Sequence, residues 1–247
     1  MTDALFLADF DDAVAPGARV VVEGEEAHHA AVKRLTVGES VLLSNGRGLG
    51  VRGVVAEASK RSFAVEVASV LADPGPALTW TVAQALAKGD RSELAVQLAT
   101  EVGARRVLAW QASRSIVRWQ GDRAAKSLER WRLTAREAAK QSRRLWVPEV
   151  EQASTAVVES AIAAADVALV LHESAETHIA DVALPAAGIG LIVVGPEGGI
   201  SDDELARFVE AGAVPVLISD GVLRTSSAAG VALGQLDVIA RLSAARA

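Results

Sequence analysis

The 247-residue chain contains no cysteine and no tyrosine, a single methionine and four histidines. Without thiols it builds neither disulfides nor thiolate metal sites, and it has no cysteine nucleophile. A reducing compartment is compatible with this. The histidines stand at 28, 29, 172 and 178, outside any metal-pair spacing such as HExxH, so no metal is expected. Aromatic residues make up 4%, five Trp and four Phe, which leaves little for stacking nucleic-acid bases. No apolar run approaches the roughly 20 residues of a membrane-spanning helix. Met1 to Asp12 carries four aspartates and no basic residue, the reverse of a signal or transit peptide. The expected location is cytoplasmic, with no membrane partner.

Basic residues are also outnumbered, with Lys+Arg at 25 against Asp+Glu at 31 and a net charge of −6. An acidic whole is not an obvious nucleic-acid binder. The hydrophobic share of 51%, with 23% charged residues, is that of a compact protein able to bury one large core or two ordinary ones.

From Arg19 to Val70 short alternating segments recur at 19–22, 40–43, 50–55 and 62–67, separated by turns such as Asn45-Gly46-Arg47-Gly48. They predict a small β-rich unit, a barrel, interrupted by one helix over about His28–Leu35. Asp73-Pro74-Gly75-Pro76 continues neither helix nor strand, so the division falls between a domain of residues 1–73 and one of residues 77–247. Beyond it the rhythm changes to strand, helix, strand. Strands are predicted at 78–85, 106–111, 167–171, 190–194 and 214–218, and helices at 91–102, 123–142, 201–211 and 226–244. That alternation specifies an α/β domain, a mostly parallel sheet with helices on both faces.

Charge is unevenly placed. Between Arg105 and Arg144 there are twelve Lys and Arg against three acids. Arg132, Arg136 and Lys140 repeat at i, i+4 along the long helix, with Arg143 beyond, opposite a buried side of Leu128, Trp131, Ala135 and Ala138. Such a stripe is either a phosphate-tracking surface for RNA or a solvated face paired with acids elsewhere; the local depletion of acids favours the first. In the small domain His28, His29, Lys33 and Arg34 are the best candidates for a basic patch.

The strongest local signal is Leu191-Ile192-Val193-Val194 running into Gly195-Pro196-Glu197-Gly198-Gly199-Ile200, then Ser201-Asp202-Asp203-Glu204. A buried strand feeds a glycine loop that opens a helix, with Ser201 and Glu204 placed for a capping box. Neither GxGxxG nor GxxxxGK[ST] is present, which argues against dinucleotide and P-loop sites. Further polar turns follow the strand ends at Leu171 and Ile218. Three loops, after Leu171, Val194 and Ile218, can wall one pocket at the usual ligand edge of an α/β sheet.

Gly195-Pro196-Glu197-Gly198-Gly199, Leu223-Arg224-Thr225, Gln84-Ala85-Leu86-Ala87-Lys88-Gly89-Asp90-Arg91, Glu101-Val102-Gly103, Arg114-Ser115 and Glu137-Ala138-Ala139-Lys140-Gln141-Ser142 together resemble the RsmE family. These are small-subunit ribosomal RNA methyltransferases of the SPOUT superfamily that make N3-methyluridine. The resemblance covers nearly the whole chain. It implies an N-terminal PUA-like RNA-binding β-barrel, a C-terminal SPOUT domain with a deep trefoil knot, a homodimer, and 16S rRNA in the small ribosomal subunit as partner. It also implies S-adenosyl-L-methionine held by Leu171, His172, Glu173, Gly195, Glu197, Gly198, Gly199, Ile200, Ile218, Leu223, Thr225, Ser226 and Ala228. Two positions depart from the family pattern: Ser219-Asp220-Gly221 replaces Gly-Pro-Arg, and Ser226 replaces an acid.

On that reading a flipped uridine presents N3 to the sulfonium methyl, and its imide proton must leave because the neutral nitrogen has no free lone pair. Arg224 is the candidate for holding the uracil oxygens or stabilising their developing charge, or else it closes the turn by a salt bridge. Glu197 is either the base or a partner of backbone amides. His28, Lys33, Arg34, Arg114, Arg118, Arg132, Arg136, Lys140 and Arg143 are the candidate RNA contacts. The alternatives are a SPOUT enzyme acting on a ribose 2′-hydroxyl or on transfer RNA, and a non-catalytic RNA-binding assembly factor.

Overall fold

The computed structural model describes residues 3–244 and divides into two compact units. One comprises Met1–Gly75 with Ala139–Val147, the other Pro76–Ala138 with Pro148–Ala247.

In the first unit β1 (Ala4–Leu7), β2 (Arg19–Glu23), β3 (Ser40–Ser44), β4 (Leu49–Ala58) and β5 (Ser62–Ala72) form one sheet in the order β1-β3-β4-β5-β2. β1 runs parallel to β3 and the other ladders are antiparallel. Alternation sets the faces: on β2, Val20 and Val22 are buried while Arg19, Val21 and Glu23 are exposed. Two register shifts in β4, at Arg52/Gly53 and Val55/Glu57, bend the sheet, and Gly53 lies so close to the Glu66 carbonyl that no side chain fits there. Phe6 and Phe63 meet edge to face at 5.2 Å in a core completed by Val41, Leu43, Val51 and Val65.

Helix α1 spans Gly24–Val32, not the expected 28–35. It starts early because Glu25 and Glu26 suit a helix N-terminus. It ends because Arg34 turns left-handed at φ 59°, with Leu35 N–H closing on the Ala30 carbonyl at 3.0 Å. Lys33 and Arg34 therefore lie past the helix.

Residues 139–147 pack within this same unit. Leu145 joins Leu5, Leu7 and Leu42 in a small cluster, and Ser44 Oγ donates to its carbonyl at 2.9 Å. The Trp146 ring covers Gly48, and its Nε1 donates to the Asp73 carbonyl at 2.8 Å.

The second unit is a seven-stranded sheet with every ladder parallel. Its strands are β6 (Leu78–Ala85), β7 (Arg106–Trp110), β8 (Glu149–Ala153), β9 (Val167–Leu171), β10 (Thr177–His178), β11 (Gly188–Val194) and β12 (Val214–Leu217), in the order β10-β12-β9-β11-β6-β7-β8. Helices α2 (Arg91–Val102), α3 (Asp122–Gln141) and α6 (Thr225–Ala244) supply Val96, Trp131, Ala135 and Leu236 to the core on one face. Helices α4 (Thr155–Ala163) and α5 (Asp202–Glu210) supply Val158, Ile162 and Phe208 on the other. Burial on both faces is the reason β9 and the second half of β11 read as continuous apolar runs, while β6 carries Thr79, Thr81 and Gln84 among its apolar residues.

Gly103 caps α2 at φ 109°, with its N–H on the Ala99 carbonyl at 3.0 Å. Trp119, buried, packs edge to face on Trp131 at 5.2 Å, so both indoles belong to the core.

Candidate active site

The loops after β9, β11 and β12 meet at the C-terminal edge of the sheet around a cavity of about 440 Å³. That is within the usual range for a small-molecule site, roughly 300–1,000 Å³, and at the usual place for one in a parallel sheet. Leu171, His172, Glu173, Gly195, Glu197, Gly199, Ile200, Ile218, Leu223, Arg224, Thr225 and Ala228 line it. Gly198 and Ser226 are set back: Gly198 packs on Arg114 and Ser226 is buried in the first turn of α6. Arg91, from outside the three loops, contributes to the wall.

A buried hydrogen-bond chain fixes the floor. Thr225 Oγ1 donates to the Gly195 carbonyl at 2.7 Å and accepts from Gln84 Nε2 at 3.0 Å. This ties the glycine loop, the start of α6 and the end of β6 to one another. Gln84 is 1% exposed; the sequence marks it as the first residue of the Gln84–Arg91 segment that carries the family resemblance, with no sign of its bond to Thr225.

The glycines serve packing as much as access. Of the three only Gly199 has positive φ, 73°. A Cβ on Gly195 would stand 2.8 Å from Ile200 Cγ1, and one on Gly198 would stand 3.3 Å from the Arg114 carbonyl. The loop is thus a tight coil whose outer face is left to line the cavity. Apolar Leu171, Val216, Ile218, Leu223 and Ala228 face the same space as Gly195, Glu197, Gly199, Ser219, Asp220 and Gly221, which suits a ligand with a flat ring system and polar edges.

Glu197 is clamped. Its Oε1 accepts the Lys88 N–H at 3.0 Å and Arg91 Nη1 at 3.3 Å. Burial pushes its pKa up, but the hydrogen bonds from Lys88, its own N–H and Arg91 outweigh that and hold it below 4.5. Arg224 is its opposite: exposed, on the cavity wall, and without an ion-pair partner among the described residues. Among the described residues only its backbone carbonyl is engaged, accepting from the Ser227 and Ala228 N–H groups at 2.9 and 3.1 Å and from the Ser227 hydroxyl at 3.2 Å.

The basic residues fall in different surroundings. Arg114 and Arg118 are exposed near the glycine loop, Arg114 Nη1 on the Ile200 carbonyl at 3.1 Å and Arg118 Nη2 on the Ser113 carbonyl at 2.7 Å. Arg132 is exposed, bonded to the Val150 carbonyl, and Arg136 is exposed. In the first unit His28, Lys33, Arg34 and Arg143 are exposed, with the Lys33 ammonium 6.0 Å from the Phe6 ring. Lys140 is buried: its Nζ pairs with Glu26 Oε1 at 3.0 Å and the side chain is 3% exposed. A lysine on the polar stripe of an isolated helix looks solvated; here α1 supplies the acid that covers it.

Models of known families place this chain among RNA-modifying enzymes. The RNA methyltransferase domain family matches residues 74–237 and the RNA methyltransferase PUA domain family matches residues 22–68. Ribosomal RNA small subunit methyltransferase E of Mycobacterium bovis is 47% identical over 229 residues, 90% of this chain and 87% of that protein. The Bacillus subtilis protein of that name is 30% identical over 236 residues, 87% of this chain and 88% of its own length. The fold is shared with the Neisseria gonorrhoeae protein of that name solved bound to S-adenosyl methionine, at a TM-score of 0.85 and 24% identity over 96% of this chain and 98% of that one. A Legionella pneumophila protein described as a methyltransferase and solved with bound SAM is similar at a TM-score of 0.84 and 26% identity over 96% of this chain and 98% of that one. Identity of this extent, spanning both units and the cavity loops, means that the chain belongs to the ribosomal RNA small subunit methyltransferase E family.

Proposed function

We propose that this chain transfers a methyl group from S-adenosyl-L-methionine to N3 of a specific uridine in 16S rRNA of the small ribosomal subunit. It acts as a cytoplasmic homodimer, with a PUA-like barrel at its N-terminus and a deep trefoil knot around the cofactor. The observation that carries this reading is the three-loop cavity with an unpaired Arg224 on its wall, in a chain of this family.

Bound there, the cofactor supplies an electrophilic methyl group. The apolar residues of the cavity shield the cofactor, and the loops after β11 and β12, which line the cavity with Gly195, Gly199 and Ser219 to Gly221, are the place for its polar edges. Arg224 directs guanidinium donors at the uracil oxygens, whose negative charge grows as the N3 proton passes to solvent water on the exposed side of the cavity where Arg224 stands. Glu197, already spent on Lys88 and Arg91 and held ionised, keeps the Lys88–Arg91 turn against the glycine loop rather than taking the proton. Arg114, Arg118, Arg132, Arg136 and Arg143, with His28, Lys33 and Arg34, meet RNA phosphates; buried Lys140 holds structure instead.

The test is transfer of labelled methyl from S-adenosylmethionine to small subunits lacking the modification, with product nucleosides resolved by mass. Label in N3-methyluridine supports the reading. Label in a ribose keeps the fold and overturns the chemistry, and absence of label despite cofactor binding overturns the substrate.

A further inference from the structure

Glu204 sits in the first turn of α5 and is 3% exposed. As the third-position partner of Ser201 it completes a capping box, which needs one oxygen and no burial. Here both oxygens are engaged and reach further. Oε1 accepts the Ser113 N–H at 2.7 Å and the Thr155 hydroxyl at 3.3 Å; Oε2 accepts the Ser113 hydroxyl at 2.7 Å, the Ser201 hydroxyl at 2.8 Å and the Ser201 N–H at 3.3 Å. Ser113 and Thr155 lie beyond the ends of β7 and β8, 91 and 49 residues away in sequence. A buried carboxylate is tolerated only when its lone pairs are met, and these five donors meet them.

Both ends of this junction belong to the site. Ser201 closes the glycine loop. Ser113 precedes Arg114, whose Nη1 donates to the Ile200 carbonyl at 3.1 Å and whose own carbonyl fills the space where Gly198 lacks a side chain. The two segments also meet directly, through Arg114 on the Ile200 carbonyl, Ser113 Oγ on Ser201 Oγ at 3.1 Å and Arg114 with Asp202 at 3.9 Å, and Glu204 is the buried acceptor that both share.

We propose that Glu204 is a positioning residue for the methyl transfer, fixing the glycine loop and the Ser113–Arg114 segment to each other so that cofactor affinity and the RNA contact of Arg114 depend on it together. This rests on the reading of the glycine loop as cofactor cradle and of Arg114 as an RNA contact.

The experiment compares the full-length wild type with Glu204→Gln, Arg114→Ala and the double variant. It measures S-adenosylmethionine Kd by calorimetry, and KM and kcat on unmodified small subunits. Glutamine keeps the size and one acceptor but loses the charge. Glu204→Gln raises the cofactor Kd and the RNA KM each about tenfold, with kcat at saturation within about threefold of wild type. In the double variant the RNA KM equals that of Arg114→Ala alone, because Glu204 acts on RNA through Arg114.

A merely structural residue would instead reduce the number of cofactor sites per chain and kcat, leaving Kd and KM unmoved. That result, or additive effects on KM, overturns the proposal. If Glu204→Gln does not fold, Ser113→Ala replaces it, since it leaves the capping box intact. An RNA KM about threefold higher is then the supporting result and a wild-type KM the overturning one. Should the wild-type chain methylate no RNA, the functional reading fails by itself, while the cofactor Kd of Glu204→Gln still decides this proposal by rising or not.

Discussion

Arg224 brings five N–H donors to the cavity wall, and among the described residues no carboxylate occupies them. A group that works only when charge develops on substrate oxygens should affect turnover more than binding. Arg224→Ala therefore lowers kcat by about 100-fold while the cofactor Kd stays within about threefold, and Arg224→Lys recovers part of it because an ammonium cannot reproduce a planar fork. Steady-state kinetics beside calorimetry checks both numbers. Two other arginines carry a conformational cost. Arg34 and Arg143, at φ 59° and 55°, are the non-glycine residues with positive φ among the described residues, and each follows a helix end. Glycine there relieves about 1 kcal/mol, so Arg143→Gly raises the thermal midpoint by a few degrees and weakens RNA binding at the same time. A rise in stability without loss of RNA affinity would show that the left-handed turn, not the guanidinium, is what this position supplies. Nothing in the sequence announces these two conformations, since an arginine at that position looks like any other cation.

Elements were legible where local signals agree. Strands β6 and β9 and helix α2 begin and end where the sequence pattern puts them: β9 is an unbroken apolar run, β6 follows the break at Asp73–Pro76, and α2 stops at Gly103. β8 and α4 were not anticipated. β8 is an edge strand, Glu149–Ala153, with only Val150 and Ala153 buried, and α4 is nine residues whose start rests on one Ser154 cap. β1, four residues long, gains its place by pairing with β3, a partner distant in sequence. The cavity's loops were legible from the strand ends, whereas the links of Gln84 to Thr225 and of Glu204 to Ser113 join residues 141 and 91 positions apart. The capping box was visible, and it yields a pH prediction at the scale of the element. Burial raises the Glu204 pKa, but the hydrogen bonds from Ser113 and Ser201 prevail and place it below 4.5. A carboxylate lowered on folding gives stability that is complete above its unfolded value and is lost as pH falls through the folded one. Acid unfolding of the wild type therefore steepens below about pH 4.5, and in Glu204→Gln that part of the acid limb flattens while stability at pH 7 is lower. An unchanged acid limb in a urea titration series would contradict this.

At the scale of the whole molecule the chain is acidic yet carries twelve Lys and Arg against three acids between Arg105 and Arg144. The structure divides these cations into two kinds. Arg118 and Arg143 are exposed, whereas Lys140 is buried against Glu26. Phosphate contacts release counterions, so log K for RNA falls with log salt, and each exposed cation removed should reduce that slope by about 0.7 to 0.9. Arg118→Gln and Arg143→Gln each produce that change with little effect on the melting temperature. Lys140→Ala does the reverse: the slope stays at its wild-type value, while stability falls by about 3 kcal/mol because Glu26 is left without its ammonium. Fluorescence binding isotherms at four salt concentrations, run beside chemical unfolding, separate the two classes. If Lys140→Ala shifts the slope as much as Arg118→Gln does, the pair with Glu26 opens on RNA, and the basic run is a single phosphate-binding stripe after all.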